Sequence, residues 1–447
     1  MKKNYLLGMA LMASLSFNSC DKEVVYVQDG TGVESVADGA QIITLQVENG
    51  GDGLATRAGR PLYSAEAKQT IENVKLWICD GAGNVIKYVK EISDWNTDDV
   101  STVYTTGGHG RQTTIELKDA DKLAAGTYKI YAVGYSNSSA YTLTDVTNVA
   151  KESTFNENMV LPCSTVGEEI FAGQMKLTVE KGKGFKKPVV LNRQVAGAFA
   201  YVKDIPFMEG AKYLKLVASA QNQSLVLGNF NSFDLTGNGS GNANVKYVVN
   251  GTNGKSGSET YVISTIDLNK WFTAIKDDNG DNLIDAGENW KNPCRPSSSP
   301  AAGTYPTFQK GSAFGGEFVI PFAHVDGKQT LTLQLTNAGG KVLRSWKVNL
   351  GSTDEQLKQT ITCWNSGSTD WSTSLSGELA NTYSLVRNHL YGIGTRMNDE
   401  ANPEKPGVDP DPNPENPNDK PESLNNKQEL VLKVNDNWEV IHGMELD

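Results

Sequence analysis

The chain has 447 residues, room for two or three domains with cores of their own, and a net charge of −11. No basic block interrupts that acidity, which excludes nucleic acid as a partner and leaves solubility as the simplest meaning of the charge. Apolar residues make up 38% and glycines number 44, the balance of a loop-rich all-β protein.

The N-terminus reads as an address. In MKKNYLLGMALMASLSFNSC, Lys2 and Lys3 precede a short apolar stretch and then small residues before Cys20. The apolar run is too short to span a bilayer, so residues 1–19 are expected to be a signal peptide. The cysteine at its end resembles a bacterial lipobox, with Phe17 where leucine is usual; that reading puts lipid on Cys20 and cleavage just before it. An ordinary signal peptide with an incidental cysteine is the alternative. Asp21, Lys22 and Glu23 follow at once, and such an acidic patch resembles the surface-export signal of Bacteroidales lipoproteins.

Residues 21–40 are polar and expected to be loose. QIITLQVEN then alternates, Ile43, Leu45 and Val47 against Thr44, Gln46 and Glu48, which predicts a strand. The glycine-rich GGDGLATRAGRP is expected to be an exposed loop, and it carries Arg57 and Arg60. IENVKLWICDGAGNVIKYVKEI predicts a hairpin turning at GAGN. GTYKIYAVGYSN and QMKLTVEKG are further strands, and KPVVLNRQVAGAFAYVKDI reads as one long strand. A second set follows about residue 206: AKYLKLVASA, QSLVLGNF, ETYVIST, GEFVIPF, TLTLQLTNAGGKVLRSWKVNL and SLVRNHLYGIG. Helix is expected only at LNKWFTAIK and DEQLKQTI. Two groups of short strands with glycine turns predict two consecutive β-sandwich domains, residues 58–205 and 206–401.

Residues 402–423 are a proline-rich linker, and 424–447 a tail that alternates again. From Leu430, Leu432 and Val434 through Trp438, Val440, Met444 and Leu446, seven of the nine even positions are apolar. A lone strand cannot satisfy its backbone or hide that face, so it must join a sheet, its own or a neighbour's. Seven apolar side chains at roughly 1.5–3 kcal/mol each represent about 10–20 kcal/mol before the cost of ordering the strand.

Two patterns bear on chemistry. In DDNGDNLIDAGE, Asp277, Asn279, Asp281, Asp285 and Glu288 set oxygens at the first, third, fifth, ninth and twelfth places of a Ca²⁺ loop, with Asn282 where glycine is normal. A solvated acidic loop is the plain alternative. Cys79, Cys163, Cys294 and Cys363 show no metal-ligand spacing, and buried free thiols are the default expectation. His109, His324, His389 and His442 are scattered, no nucleophile or nucleotide motif is present, and no enzyme is expected.

Several segments jointly resemble a Bacteroidales fimbrillin, a type V pilus subunit, over nearly the whole chain. They are CDKE after the leader, ATRAG, GTYKIYAVGYSN, LNRQVAGAFAYV, LVRNHLYGIG and LVLKVNDNWEVIHGMEL. The resemblance implies two transthyretin-like sandwiches and a lipidated outer-membrane precursor that becomes a cell-surface fimbria. It also implies an arginine-specific protease that removes residues 20–57 with their strand, and a groove then filled by the C-terminal strand of another subunit. Arg57 precedes Ala58 whereas Arg60 is shielded by Pro61, so the cut is expected between Arg57 and Ala58. Implied partners are copies of the chain, tip and anchor proteins, the protease, and transiently the membrane. The competing reading is a surface glycan-binding lipoprotein that keeps its lipid and shows aromatic residues, Trp271, Trp290, Trp364 and Trp371 being the candidates.

Overall fold

The computed structural model describes residues 39–48, 71–104, 110–165, 167–228, 247–284, 289–293, 308–322, 331–350, 360–376, 385–394, 421–425 and 427–435. Almost all regular structure there is β. The α-helices among these residues are two single turns, α1 (Thr144–Thr147) and α2 (Leu268–Trp271). No helix among them is long and apolar enough to cross a membrane.

The first half contributes β1 (Gln41–Glu48), β2 (Asn73–Asp80), β3 (Ile86–Ile92), β4 (Thr102–Tyr104), β5 (Gly110–Leu117), β6 (Gly126–Tyr135), β7 (Val160–Pro162), β8 (Phe171–Val179) and β9 (Phe185–Arg193). All but β7 form one eight-stranded sheet in the order β3-β2-β6-β8-β9-β1-β5-β4. The predicted hairpin is β2–β3. Its turn is closed by Asp80 Oδ1, which accepts the Gly83 N–H at 2.7 Å, while Asn84 takes a positive φ of 56°. The sheet folds over between β8 and β9, where Phe171 pairs Arg193 and Ala172 pairs Asn192. Gly173 permits this, since a Cβ there would lie 2.0 Å from the Val190 carbonyl oxygen. The two leaves enclose a core in which Leu76, Ile78 and Ile130 face Leu45, Val189 and Leu191, all fully buried.

The second half contributes β10 (Ala196–Lys203), β11 (Ala211–Gln221), β12 (Ser224–Val226), β13 (Tyr247–Val249), β14 (Gly251–Thr252), β15 (Lys255–Asp267), β16 (Ala313–Val319), β17 (Leu331–Asn337), β18 (Val342–Leu350), β19 (Thr360–Asn365), β20 (Asp370–Ser376), β21 (Leu390–Ile393), β22 (Glu422–Ser423) and β23 (Glu429–Asn435). A nine-stranded sheet runs β15-β11-β17-β18-β23-β21-β10-β16, with β22 beside β10. Small sheets β14-β12-β7 and β13-β19-β20 flank it, and the first stitches the halves together because β7 comes from the first half.

Three expectations change. KPVVLNRQVAGAFAYVKDI is two strands in different sheets and not one long strand, and the chain passes from one sheet to the other at Gln194–Val195. The backbone leaves the ladder there: the Gln194 N–H donates to the Ile170 carbonyl at 2.8 Å, and its side chain donates back to the Asn192 carbonyl at 2.9 Å. LNKWFTAIK keeps one helical turn, and the described end of DEQLKQTI opens β19. Most consequentially, the tail does not stand apart from its first residue onward. Leu424 is fully buried and its N–H donates to the Lys203 carbonyl at 2.9 Å. Strand β23 lies between β18 and β21 in the chain's own sheet, with Leu430 1% exposed. Without it β18 and β21 would present two open edges to one another, and a strand on the same chain meets them at high effective concentration. Leu430, Leu432 and Val434 are thus on an intramolecular strand in this structure. Trp438, Val440, Met444 and Leu446 lie outside the described residues.

Candidate strand-exchange site

Strand β1 occupies an interior slot. It pairs antiparallel with β5 along its whole length, Gln41 with Leu117 to Glu48 with Gly110, and parallel with β9 from Gln41–Phe185 to Val47–Leu191. Its period of two sends Ile43, Leu45 and Val47 into the core, each 0% exposed. Three such side chains stabilise the sheet by about 5–9 kcal/mol. One end is pinned by Gln41, whose Nε2 donates to the Leu123 carbonyl at 2.9 Å while its Oε1 accepts the Leu123 N–H at 2.7 Å. On the outer face Gln46 donates to Gln112 Oε1 at 3.2 Å. Without β1, β5 and β9 face each other across a strand-wide gap with unpaired backbone and an open core. Cys20, Arg57 and Ala58 lie outside the described residues.

Strand β23 repeats this arrangement in the second sheet. It runs parallel to β18, Leu430 beside Val348, and antiparallel to β21, Leu432 beside Ile393 and Val434 beside Tyr391. The two strands also match in sequence. Ile43-Thr44-Leu45-Gln46-Val47 and Leu430-Val431-Leu432-Lys433-Val434 share apolar residues at the first, third and fifth places, two of them identical, and a polar residue at the fourth. Sequence reasoning read each strand separately and missed the match; setting the two alternating runs side by side reveals it.

The segments LNRQVA and LVRNHLYGIG meet where the halves join. Arg387 Nη1 donates to Gln194 Oε1 and to the Gly228 carbonyl, both at 2.9 Å. Burial pushes its guanidinium down to about 9, which still leaves it charged at neutral pH. The Gly197 N–H donates to the His389 carbonyl at 3.0 Å and the Asn388 N–H to Val195 at 2.8 Å. Beside them Arg193 donates through Nε and Nη2 to Glu169 Oε1 at 2.9 and 2.7 Å, and stacks 5.1 Å from the Phe171 ring. These residues fasten the two halves to one another.

In the acidic loop, Asp277 accepts the N–H groups of Gly280 and Asn282 at 2.8 and 3.0 Å, and Asn279 accepts that of Asp281 at 3.0 Å. Asn282 takes the positive φ expected at its place, 64°. Asp285 and Glu288 lie outside the described residues, and the described ones hold no cluster of three metal-ligating side chains. Of the four candidate tryptophans for glycan binding, Trp271 is buried and Trp290, Trp364 and Trp371 are half-buried. Trp290 donates to the Ser312 carbonyl at 2.7 Å, and Trp371, packed edge-on against Trp364, donates to Asn158 of the first half at 2.9 Å. Cys79 is a buried thiol pushed up to about 12, mainly by burial, whereas Cys163 and Cys363 are half-buried; Cys294 lies outside the described residues.

No protein-family model matches the chain, and no curated protein matches it in sequence. Solved structures do. A fimbrial assembly protein from Parabacteroides distasonis is 12% identical, with 79% of this chain and 90% of that one covered at a TM-score of 0.36. The tip fimbrial protein Mfa3 from Porphyromonas gingivalis, with a C-terminal truncation, is 10% identical over 79% and 94% of the two chains at 0.35. The structural neighbours include Bacteroidales fimbrial proteins, putative cell adhesion proteins and a putative polysaccharide binding protein from Bacteroides thetaiotaomicron. The fimbrial anchor protein Mfa2 from Porphyromonas gingivalis is among them, 10% identical over 78% and 99% at a TM-score of 0.30. The likeness is loose, and the function proposed next is carried by residues of this chain.

Proposed function

We propose that the chain is a structural subunit of a surface fimbria, built on two transthyretin-like sandwiches and polymerised by protease-triggered strand exchange. The observation that carries this is the place of β1: an interior strand, joined to the rest of the fold only through residues 49–70, which contain Arg57. A cut between Arg57 and Ala58 turns that strand into a separate peptide and releases the lipid on Cys20 with it. The vacated slot then takes a strand from the tail of a second copy. Tail-to-slot joining is head-to-tail and propagates into a filament. The precursor sits at the outer membrane through its lipid and meets an arginine-specific protease there. The mature chain sits at the cell surface, joined to its own copies and to tip and anchor subunits. N-terminal sequencing of sheared fibres is expected to begin at Ala58; a start at Cys20 would overturn the reading in favour of a lipid-anchored glycan binder.

We propose in addition that Asp277, Asn279 and Asp281, with Asp285 and Glu288, hold one Ca²⁺ that stiffens their loop. Calorimetry on EDTA-stripped protein is expected to show saturable uptake weakened by Glu288→Ala. Heats equal to buffer would dismiss the site.

A further inference from the structure

This inference rests on the strand-exchange reading and concerns which strand the slot takes, and in what register. Strand β1 has a flaw. Thr44 is 2% exposed, and its hydroxyl has no hydrogen-bond partner among the described residues. Its cross-strand neighbours offer none: Thr114 on β5 is exposed, and on β9 the neighbour is Pro188, which has no N–H. A buried hydroxyl without a partner is a standing cost in free energy.

Setting Leu430 at the place of Ile43 keeps leucine at the third place and valine at the fifth. It puts Lys433 at the place of Gln46, so a donor still faces Gln112 Oε1. It puts Val431 at the place of Thr44, the same shape without the hydroxyl. The polarity of the neighbours is also preserved, because β23 already lies parallel to one flanking strand and antiparallel to the other. We infer that Thr44 is the residue that makes β1 replaceable. The slot between β5 and β9 prefers the Leu430–Val434 run of a second copy, in the register that sets Val431 where Thr44 lay.

The test uses the full chain cleaved after Arg57 and labelled peptides that compete with β1. A peptide of residues 428–436 is expected to enter the cleaved protein and not the uncleaved one, and its Val431→Thr version to bind about tenfold more weakly. In the chain itself, Thr44→Val is expected to slow the loss of β1 after cleavage about tenfold, followed by hydrogen exchange at β5 and β9. Equal binding of the two peptides, or unchanged release from Thr44→Val, overturns the role of Thr44 and leaves strand exchange standing. Tighter binding by a peptide of residues 437–447 overturns the register and assigns the donor to the far half of the tail. If neither peptide binds and the cleaved chain forms no filament, strand exchange itself is overturned.

Discussion

Arg193 and Glu169 are 3% and 0% exposed in their side chains, so the two buried charges offset one another. Glu169→Ala takes the carboxylate away from a buried guanidinium and is expected to cost roughly 3 kcal/mol in chemical denaturation. The thiol of Cys79, buried and pushed up to about 12, is expected to resist iodoacetamide at pH 8 until the protein unfolds; mass spectrometry of the alkylated chain reads this directly. Burial raises the Glu157 carboxyl, yet hydrogen bonds from Lys129 and Tyr131 overcome it and hold the group below the ordinary carboxylate range. Its folded value is depressed, so its stabilisation is full above the ordinary carboxylate range and is lost as pH falls through the lowered value. Since the carboxylate is partly exposed, the effect is about 1 kcal/mol at most. Glu157→Gln is expected to remove that part of the acid limb in unfolding scans. At this scale the sequence marked residues without their meaning. Gln194 and Arg387 stand in segments singled out by resemblance, but only the fold shows that they touch.

Among elements, alternation was the readable signal. The strands at 41–48 and 429–435 both alternate apolar and polar residues along much of their length, and that pattern is legible without the fold. The break between β9 and β10 was not readable. Gln194 and Val195 carry no glycine or proline, and both flanking segments are apolar, so local chemistry is continuous where the topology is not. The fold-over at Gly173 was equally silent, since its cause is the Val190 carbonyl of a strand later in sequence, 2.0 Å from where a Cβ would lie. Gly173→Ala must push β8 off β9 and is expected to destabilise by about 3 kcal/mol, seen as a lowered thermal midpoint. The pairing partner of β23 was unreadable for a different reason: an alternating strand says that it needs a sheet, not whose.

For the whole molecule, β22 and β23 close the chain's own second sheet until the slot of a second copy takes the Leu430–Val434 run. Truncation after Asn435 keeps β22 and β23 and is expected to leave the thermal midpoint near that of the full chain. Truncation after Lys420 removes β22 and β23, opens the second sheet between β18 and β21, and is expected to lower the midpoint by several degrees or more, by calorimetry. Composition and strand spacing made the all-β build legible at this scale; the joint between the halves was not, because β7 pairs β12 across 61 residues or more of intervening chain, Ser224 with Pro162 and Val226 with Val160. The interior position of β1 also has a mechanical meaning. In the proposed fibre, flowing fluid pulls along the length, and the strand seated in that slot is dragged along its own axis. The hydrogen bonds on both of its flanks then bear the tension together, in shear, and none is peeled ahead of the rest. A joint of that kind holds nearly to its full strength and then parts at once, whereas a strand laid on an open edge would unzip bond by bond under a small force.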